Sequence, residues 1–457
     1  MNFKNIIFYN NKYLEITPDS RDSNGILEIQ DYLDGGTIAS FPNLKSISKA
    51  AGGARNLQKR WNGLSREDRI DMLISTGERL IRKSEYDELI SKSGGFPVRY
   101  VEETRKTIGS YLKNSEEFLQ ENPGCGPVAA ATSVTAPIVQ PFVIMEALFG
   151  NCSITIKGDG KEPFSAYMLA DISTEIGLPI QFITYKTGGS GSLSYELYNM
   201  CEMNGGHFIL MGDPTTPKKI AYNNIMDRID IGDLPMPRSM IAFTSHGGAM
   251  IIDDSCDIEK AAQGAVDSFK FPRACKVPTG IFVSDSILID FIEELCKMVQ
   301  VQKTGNVLRR DTNVAEVSER FWSVVVDDFI RAAKSVGEVV CGGKINQPTI
   351  IRGNFYSSLS MEPQFPVYCV EGMDDINIII KKINEYGAKF EKRRILDLSI
   401  YTKNDELFQK LCRLRRIGSL NAYSLHRNLP TLSQNPNTAH EGIILREFLS
   451  EPNFIDS

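Results

Sequence analysis

Along the second half of this chain and part of the first, short apolar runs alternate with stretches whose apolar residues recur every three to four positions. The runs Ser153–Lys157, Pro179–Tyr185, His207–Met211, Ala249–Ile252, Ile281–Val283, Glu338–Cys341, Val367–Glu371, Leu398–Thr402 and Ser419–Tyr423 predict strands. Between them the periodicity predicts helices over Val139–Phe149, Phe164–Gly177, Tyr195–Asn204, Gly212–Ile220, Asp285–Val301, Val317–Ser335, Asp374–Tyr386 and Glu406–Leu414. A further helix starts at Asp257 and places Ile258, Ala261, Ala262, Ala265 and Phe269 on one face. Strands that alternate with helices in this way build βαβ units and parallel sheets.

The N-terminal part reads differently. Asp34–Pro42 predicts a turn and a short strand, Asn43–Ala54 a helix, and the stretch from Leu57 to Ser84 charged amphipathic helices. Ser65, followed by Asp68 and Met72, marks the N-cap of one of these. Arg99–Leu119 predicts another amphipathic helix. Glu121–Ala131 is punctuated by Gly and Pro and leads into a β-prone segment. From Ser433 the tail is irregular, weakly β-like at Gly442–Leu449, and there is no internal sequence repeat or low-complexity tract.

Composition narrows the class. With 457 residues the chain is long enough for two or three domains, and 42% hydrophobic and 24% charged residues are ordinary for a soluble globular protein. A net charge of -6 without a basic stripe gives no nucleic-acid footprint. No apolar run approaches the ~18 residues of a membrane span, and the opening MNFKNIIFYNNKYLEI lacks the apolar region of a secretory signal. Nine scattered cysteines suit a reducing, cytoplasmic setting. The four histidines (His207, His246, His426 and His440) form no HxH or HxxxH pair, so a catalytic metal is not expected.

The densest chemistry lies between Ser239 and Val283. A Gly247-Gly248 turn opens an apolar run that closes on Asp253 and Asp254, a helix follows, and then Cys275 stands between Arg273 and Lys276 at a helix-to-strand junction. Flanking cations stabilise a thiolate there, although most unpaired cysteines are small buried hydrophobes. Elsewhere, Lys157 ends a strand, where the crevice of a parallel sheet receives a nucleotide. Gly212 and Asp213 stand at a strand-to-helix turn whose backbone N–H groups would face a phosphate.

These segments, from about residue 34 to 450 and in one order, resemble the aldehyde dehydrogenase superfamily, as a divergent member similar to its acylating and acyl-CoA-reducing branches. The resemblance implies an α/β fold with two Rossmann-type domains and a small oligomerisation β element. A nucleotide-binding domain is expected over residues 1–237, interrupted by an oligomerisation hairpin near 120–132. A catalytic domain is expected over 238–428 and an oligomerisation tail over 429–457, with the active site between the large domains and a homodimer or homotetramer as the assembly. Cys275 stands where the family has its nucleophile. Lys157 matches a ribose-binding lysine, Gly212 and Asp213 a Gly-Ser phosphate turn, and Glu362, with Pro366 and Val367, a glutamate that holds the nicotinamide ribose.

The departures carry as much as the matches. The family's ribose glutamate is Gly160, followed by Lys161, which tolerates a 2′-phosphate and favours NADP(H) over NAD(H). Its oxyanion asparagine is missing, leaving Ser133 or Thr135 to donate beside the Cys275 backbone N–H. The glutamate that activates water is Ser245, with His246 as a substitute base. Water release needs that base, whereas a thiol acceptor does not. The leading expectation is therefore reduction of an acyl thioester, from CoA or a carrier protein, to an aldehyde through a Cys275 acyl-enzyme. Two alternatives stay open: aldehyde oxidation with His246 or another group in the glutamate's place, and a catalytically silent binding or assembly subunit.

Overall fold

The computed structural model describes residues 1–132, 135–186, 192–211, 216–217, 220, 239–243, 247–274, 276–353, 363–389 and 395–430. They divide into two compact units, one holding the described residues up to 243 and the other those from 247 onward.

The first unit is built on a seven-stranded sheet. Its strands are β1 (Asn5–Tyr9), β2 (Lys12–Ile16), β5 (Val128–Ala131), β6 (Ile154–Lys157), β7 (Ile180–Ile183), β8 (Phe208–Met211) and β9 (Met240–Phe243), in the order β2-β1-β7-β6-β5-β8-β9. A separate antiparallel pair, β3 (Ser23–Gln30) and β4 (Thr37–Leu44), lies outside it. β5 to β9 are parallel. The chain winds outward from β5 through β6 to β7, returns past β5, and winds the other way through β8 to β9. Helices Val139–Phe149, Phe164–Ile176 and Ser192–Met203 make the first three crossovers, as the periodicity predicts. β6 and β7 are buried at every position, which is why they read as continuous apolar runs rather than alternating ones.

The helical N-terminal layer begins with Ser48–Asn62 and continues with Arg66–Arg82. Ser65 opens the second of these through a reciprocal capping box with Asp68. The β1–β2 hairpin was not foreseen. Its turn residues, Asn10 and Asn11, both have positive φ (50° and 62°), the geometry of a tight primed turn. That Asn-Asn pair between Phe8-Tyr9 and Lys12-Tyr13 was the available signal.

Two expectations need correction. No hairpin occupies 120–132: Val128–Ala131 is an inner strand, paired in parallel with β6 on one side and β8 on the other. Three small alanines at positions 129 to 131, the first two fully buried, suit the crowded middle of a sheet covered on both faces. The boundary expected at 237 falls after Phe243, because Met240–Phe243 pairs with Phe208–Met211 and so belongs to the first sheet.

The second unit repeats the winding. Its sheet runs β14 (Gly337–Cys341), β15 (Thr349–Gly353), β16 (Val367–Met373), β11 (Pro278–Ser284), β10 (Gly248–Ile252), β17 (Ile395–Tyr401) and β18 (Ala422–Arg427). The core β16-β11-β10-β17-β18 is parallel and again turns back at its first strand. Helix Ile376–Lys389 and helix Asp405–Arg416 cover one face, with Ile379, Ile383 and Leu411 packed on Ala249, Ile251, Leu398 and Ile400. The last strand starts later than expected, because Ser419 and Leu420 both donate backbone hydrogen bonds to Leu414 O and close the preceding helix. The helix expected over Val317–Ser335 contains a π-helical turn at Trp322–Val326. No described helix is long and apolar enough to cross a membrane.

Candidate active site

In the first unit, strand order reverses between β5 and β8. Open α/β sheets bind ligands outside the carboxyl ends of their strands at such a switch point. The side chains delivered there come from the ends of neighbouring strands. Lys157, the last residue of β6, is buried, and its Nζ donates to Gly158 O at 3.2 Å and lies 5.5 Å from the centre of the Tyr185 ring beyond β7. Burial holds its pKa below the ordinary lysine value, against the opposing pull of Asp159. Thr132, just past β5, is also buried, and its Oγ1 has no hydrogen-bond partner among the described residues. Sequence reasoning missed Thr132; the signal was a lone hydroxyl closing an otherwise apolar Val-Ala-Ala-Ala strand. Thr135 is half-buried in the turn before helix Val139–Phe149.

The loop after Lys157 is held from beneath. Asp159 N donates to Gln140 Oε1 at 3.0 Å, while Asp159 Oδ1 accepts from Lys161 N and Glu162 N at 2.7 and 3.2 Å. Glu162 caps helix Phe164–Ile176, its Oε1 accepting from Ser165 N and its Oε2 from Ser165 Oγ. Complete burial pushes the Glu162 carboxyl up to about 7. This scaffold presents Gly160 and Lys161 to solvent, and a Cβ added at Gly160 would meet nothing within 4 Å.

In the second unit, helix Ile258–Ser268 is capped by the Asp257 side chain, which accepts from Lys260 N. The chain then turns through Ala274, whose carbonyl accepts from Val277 N at 3.0 Å. Here the Gly-Gly turn meets the segment around the cysteine. Gly248 N donates to Val277 O at 2.9 Å, and a Cβ on Gly248 would lie 2.4 Å from Lys276 O. Gly247 has a φ of +80°, which favours glycine. Gly248 is therefore explained by the close approach of β10 to the residues that follow Cys275, and Gly247 by its left-handed backbone. Asp397 lies level with Gly248 on β17, buried, and pairs with His426 Nε2 at 2.8 Å while accepting from Ser424 Oγ at 3.0 Å. Among the candidates, Ser133, Gly212, Asp213, His246, Cys275 and Glu362 lie outside the described residues, as does Ser245.

Residues 20–422 match the aldehyde dehydrogenase family. The chain belongs to the aldehyde dehydrogenase family. Among curated relatives it is 23% identical over 310 residues to glutarate-semialdehyde dehydrogenase of Pseudomonas putida, covering 65% of this chain and 60% of that protein. It is 26% identical over 220 residues to the NADP(+)-dependent succinate-semialdehyde dehydrogenase of Escherichia coli, covering 46% and 41%. The matched stretches thus span less than two thirds of these aldehyde dehydrogenases. Among solved structures, NADP-dependent glyceraldehyde-3-phosphate dehydrogenase from Bacillus halodurans, complexed with NADP, superimposes with a TM-score of 0.75 at 18% identity, over 95% of this chain and 92% of that one. An NAD-dependent aldehyde dehydrogenase from Sinorhizobium meliloti gives 0.75 at 16%, over 94% and 87%. These structures share the aldehyde dehydrogenase fold, in which two parallel-sheet α/β domains are joined in one chain.

Proposed function

We propose that this aldehyde dehydrogenase family member is an NAD(P)-dependent oxidoreductase that reduces an acyl thioester to an aldehyde through an acyl-enzyme on Cys275. The observation that carries the reading is Ser245, which stands immediately before His246-Gly247-Gly248 where hydrolytic relatives have the glutamate that activates water. A serine is no general base near neutral pH without a partner. A thioester substrate needs none. The Cys275 thiolate adds to the acyl carbonyl and expels the CoA or carrier thiolate. Arg273 and Lys276 favour the anionic form of Cys275, and Ser133 or Thr135 with the Cys275 backbone N–H stabilises the oxyanion.

A nicotinamide coenzyme, when bound, supplies the hydride that takes the thioester to the aldehyde. The first unit's residues fit such a group. Thr132 Oγ1 lies at the strand-order reversal, Lys157 directs only one described hydrogen bond, to Gly158 O, and Gly160 leaves open space beside Lys161 for a 2′-phosphate. Glu362 would hold the nicotinamide ribose and the Gly212-Asp213 turn the phosphates. The preference for NADP(H) rests on Gly160 and Lys161.

The test is direct. Incubation with an acyl-CoA in the absence of reduced coenzyme should add one acyl mass to the chain, mapped to Cys275 and lost on treatment with hydroxylamine. A chain that stays unmodified across chain lengths and carrier-bound acyl groups would contradict the reading. A second reading, oxidation of a semialdehyde, is favoured by the names of the curated relatives. It requires His246 or another group to activate water.

A further inference from the structure

The sheet of the first unit has a second chemically distinctive edge, at the amino ends of its strands and so opposite Lys157. Three chain entries converge there: Cys125 leads into β5, Cys152 into β6, and His207 into β8. The strands they feed are direct neighbours. Val128 N donates to Ser153 O at 2.7 Å and Ala129 N to His207 O at 3.0 Å. The approach is tight just before Cys125. A Cβ built on Gly124 would lie 2.3 Å from Asn151 O and 2.8 Å from Cys152 Sγ. The side chains of Cys152 and His207 both lie close enough to act on the Cys125 thiol. Cys152 Sγ also lies 3.4 Å from Gly150 O. Cys125 is half-buried with access to solvent, whereas Cys152 is fully buried.

We propose that Cys125 and Cys152 form an oxidative modification site, distinct from Cys275, at which a peroxide converts the two thiols into a disulfide. The asymmetry of the pair sets the order of events. Hydrogen bonding from Cys152, together with the His207 imidazole, pulls the Cys125 thiol down to about 5, while Cys152 is pushed well above the ordinary value. Cys125 is thus the thiolate and Cys152 the thiol. The Cys125 sulfur attacks one oxygen of hydrogen peroxide, the O–O bond breaks, and hydroxide leaves, giving a sulfenic acid. Hydroxide takes the Cys152 proton to form water. The Cys152 sulfur then attacks the Cys125 sulfur and expels hydroxide, which is protonated to a second water. Two thiols and one peroxide become one disulfide and two waters, with two hydrogens lost from the chain. A metal does not explain the cluster, because among the described residues no group of three or more His, Cys, Asp or Glu is arranged to hold one.

The chain contains its own comparison. Cys296 and Cys341 are also neighbours, but there burial and the adjacent Cys341 push the Cys296 thiol up to about 11. The experiment uses the full chain carrying Cys275→Ala, treated with a small molar excess of hydrogen peroxide and mapped without reduction. The expected result is loss of two thiols and of two mass units, a cross-linked peptide joining Cys125 to Cys152, and modification there at least tenfold faster than at Cys296 or Cys341. Cys152→Ser should leave a sulfenic acid on Cys125 that dimedone traps, and His207→Gln should slow its formation about tenfold. Mapping needs no change at either cysteine, so it reads the site even if those variants fold poorly. Cys125 and Cys152 recovered as unmodified thiols while other cysteines react, or a cross-link confined to Cys296 and Cys341, would overturn the proposal.

Discussion

Lys157 Nζ lies 5.5 Å from the centre of the Tyr185 ring. Two neighbouring parallel strands thus bring a buried cation and an aromatic face together at the crevice edge of the first sheet. A desolvated ammonium gains from the ring's negative face, and what remains of its donor capacity is directed by the ring and the Gly158 carbonyl. Replacing Lys157 with Met keeps the packing and removes the donor. The expected outcome is a rise in the coenzyme KM of about 10- to 100-fold, the loss of one hydrogen bond to a charged donor, with a smaller effect on kcat. Steady-state kinetics at varied coenzyme concentration checks it.

Gly160 is exposed, and a side chain added there meets open space. Gly160→Glu should fold normally and place an acid where hydroxyls of an unphosphorylated ribose are accepted and a 2′-phosphate is repelled. The ratio of kcat/KM for NADPH over NADH should fall by about 10- to 100-fold. An unchanged ratio would remove Gly160 from the coenzyme site.

Two adjacent glycines in helix Ser48–Asn62 should respond oppositely to alanine. A Cβ on Gly53 would lie 1.6 Å from Phe8 O, a backbone atom of β1 that cannot swing aside, whereas one on Gly52 meets nothing within 4 Å. Gly53→Ala should destabilise the first unit by about 3 kcal/mol or more through overpacking. Gly52→Ala should be neutral or stabilising by up to about 1 kcal/mol, the helix-propensity gain. Denaturant unfolding of both variants distinguishes them.

Glu162 gives a pH-dependent signature. Its carboxyl is pushed up to about 7 by burial, above the ordinary value of 4.5 expected in the unfolded chain. The folded state therefore holds this proton more tightly, and the associated stability is fully present below pH ~4.5 and lost as pH rises through about 7. Relative to Glu162→Gln, the stability of the natural chain should fall by about 3 kcal/mol between those limits and run parallel outside them. Chemical unfolding at a series of pH values reads the difference.

Much of this architecture was legible in the residues themselves. Val139–Phe149 was bounded to the residue, because a largely apolar helix ends at Gly150. Ser65 announced its own capping box. What escaped was set by packing rather than by local pattern. Val128–Ala131 is short, and small alanines carry little strand propensity, so its place in the middle of the sheet came only from β6 and β8 on either side. The β1–β2 hairpin depended on two left-handed asparagines whose significance appears once β1 is seen against β7. At the site, Lys157 was placed by its strand end, while Thr132 and Tyr185 became visible only through burial and contact. The Cys125–Cys152 contact joins residues 27 positions apart through neighbouring strand entries, which no spacing rule reveals.

The central claim is that Cys275 carries an acyl group delivered by a thioester. The measurement that tests it most directly is oxidation of NADPH and of NADH, followed spectrophotometrically, against acyl-CoA and carrier-protein thioesters of several chain lengths, with Cys275→Ala in parallel. The account predicts coenzyme oxidation matched one-to-one by thiol release and aldehyde, faster with NADPH, and reduced at least about 10⁴-fold by the substitution. Thioester-independent oxidation of aldehydes by the natural chain, with no turnover of any thioester, would contradict it.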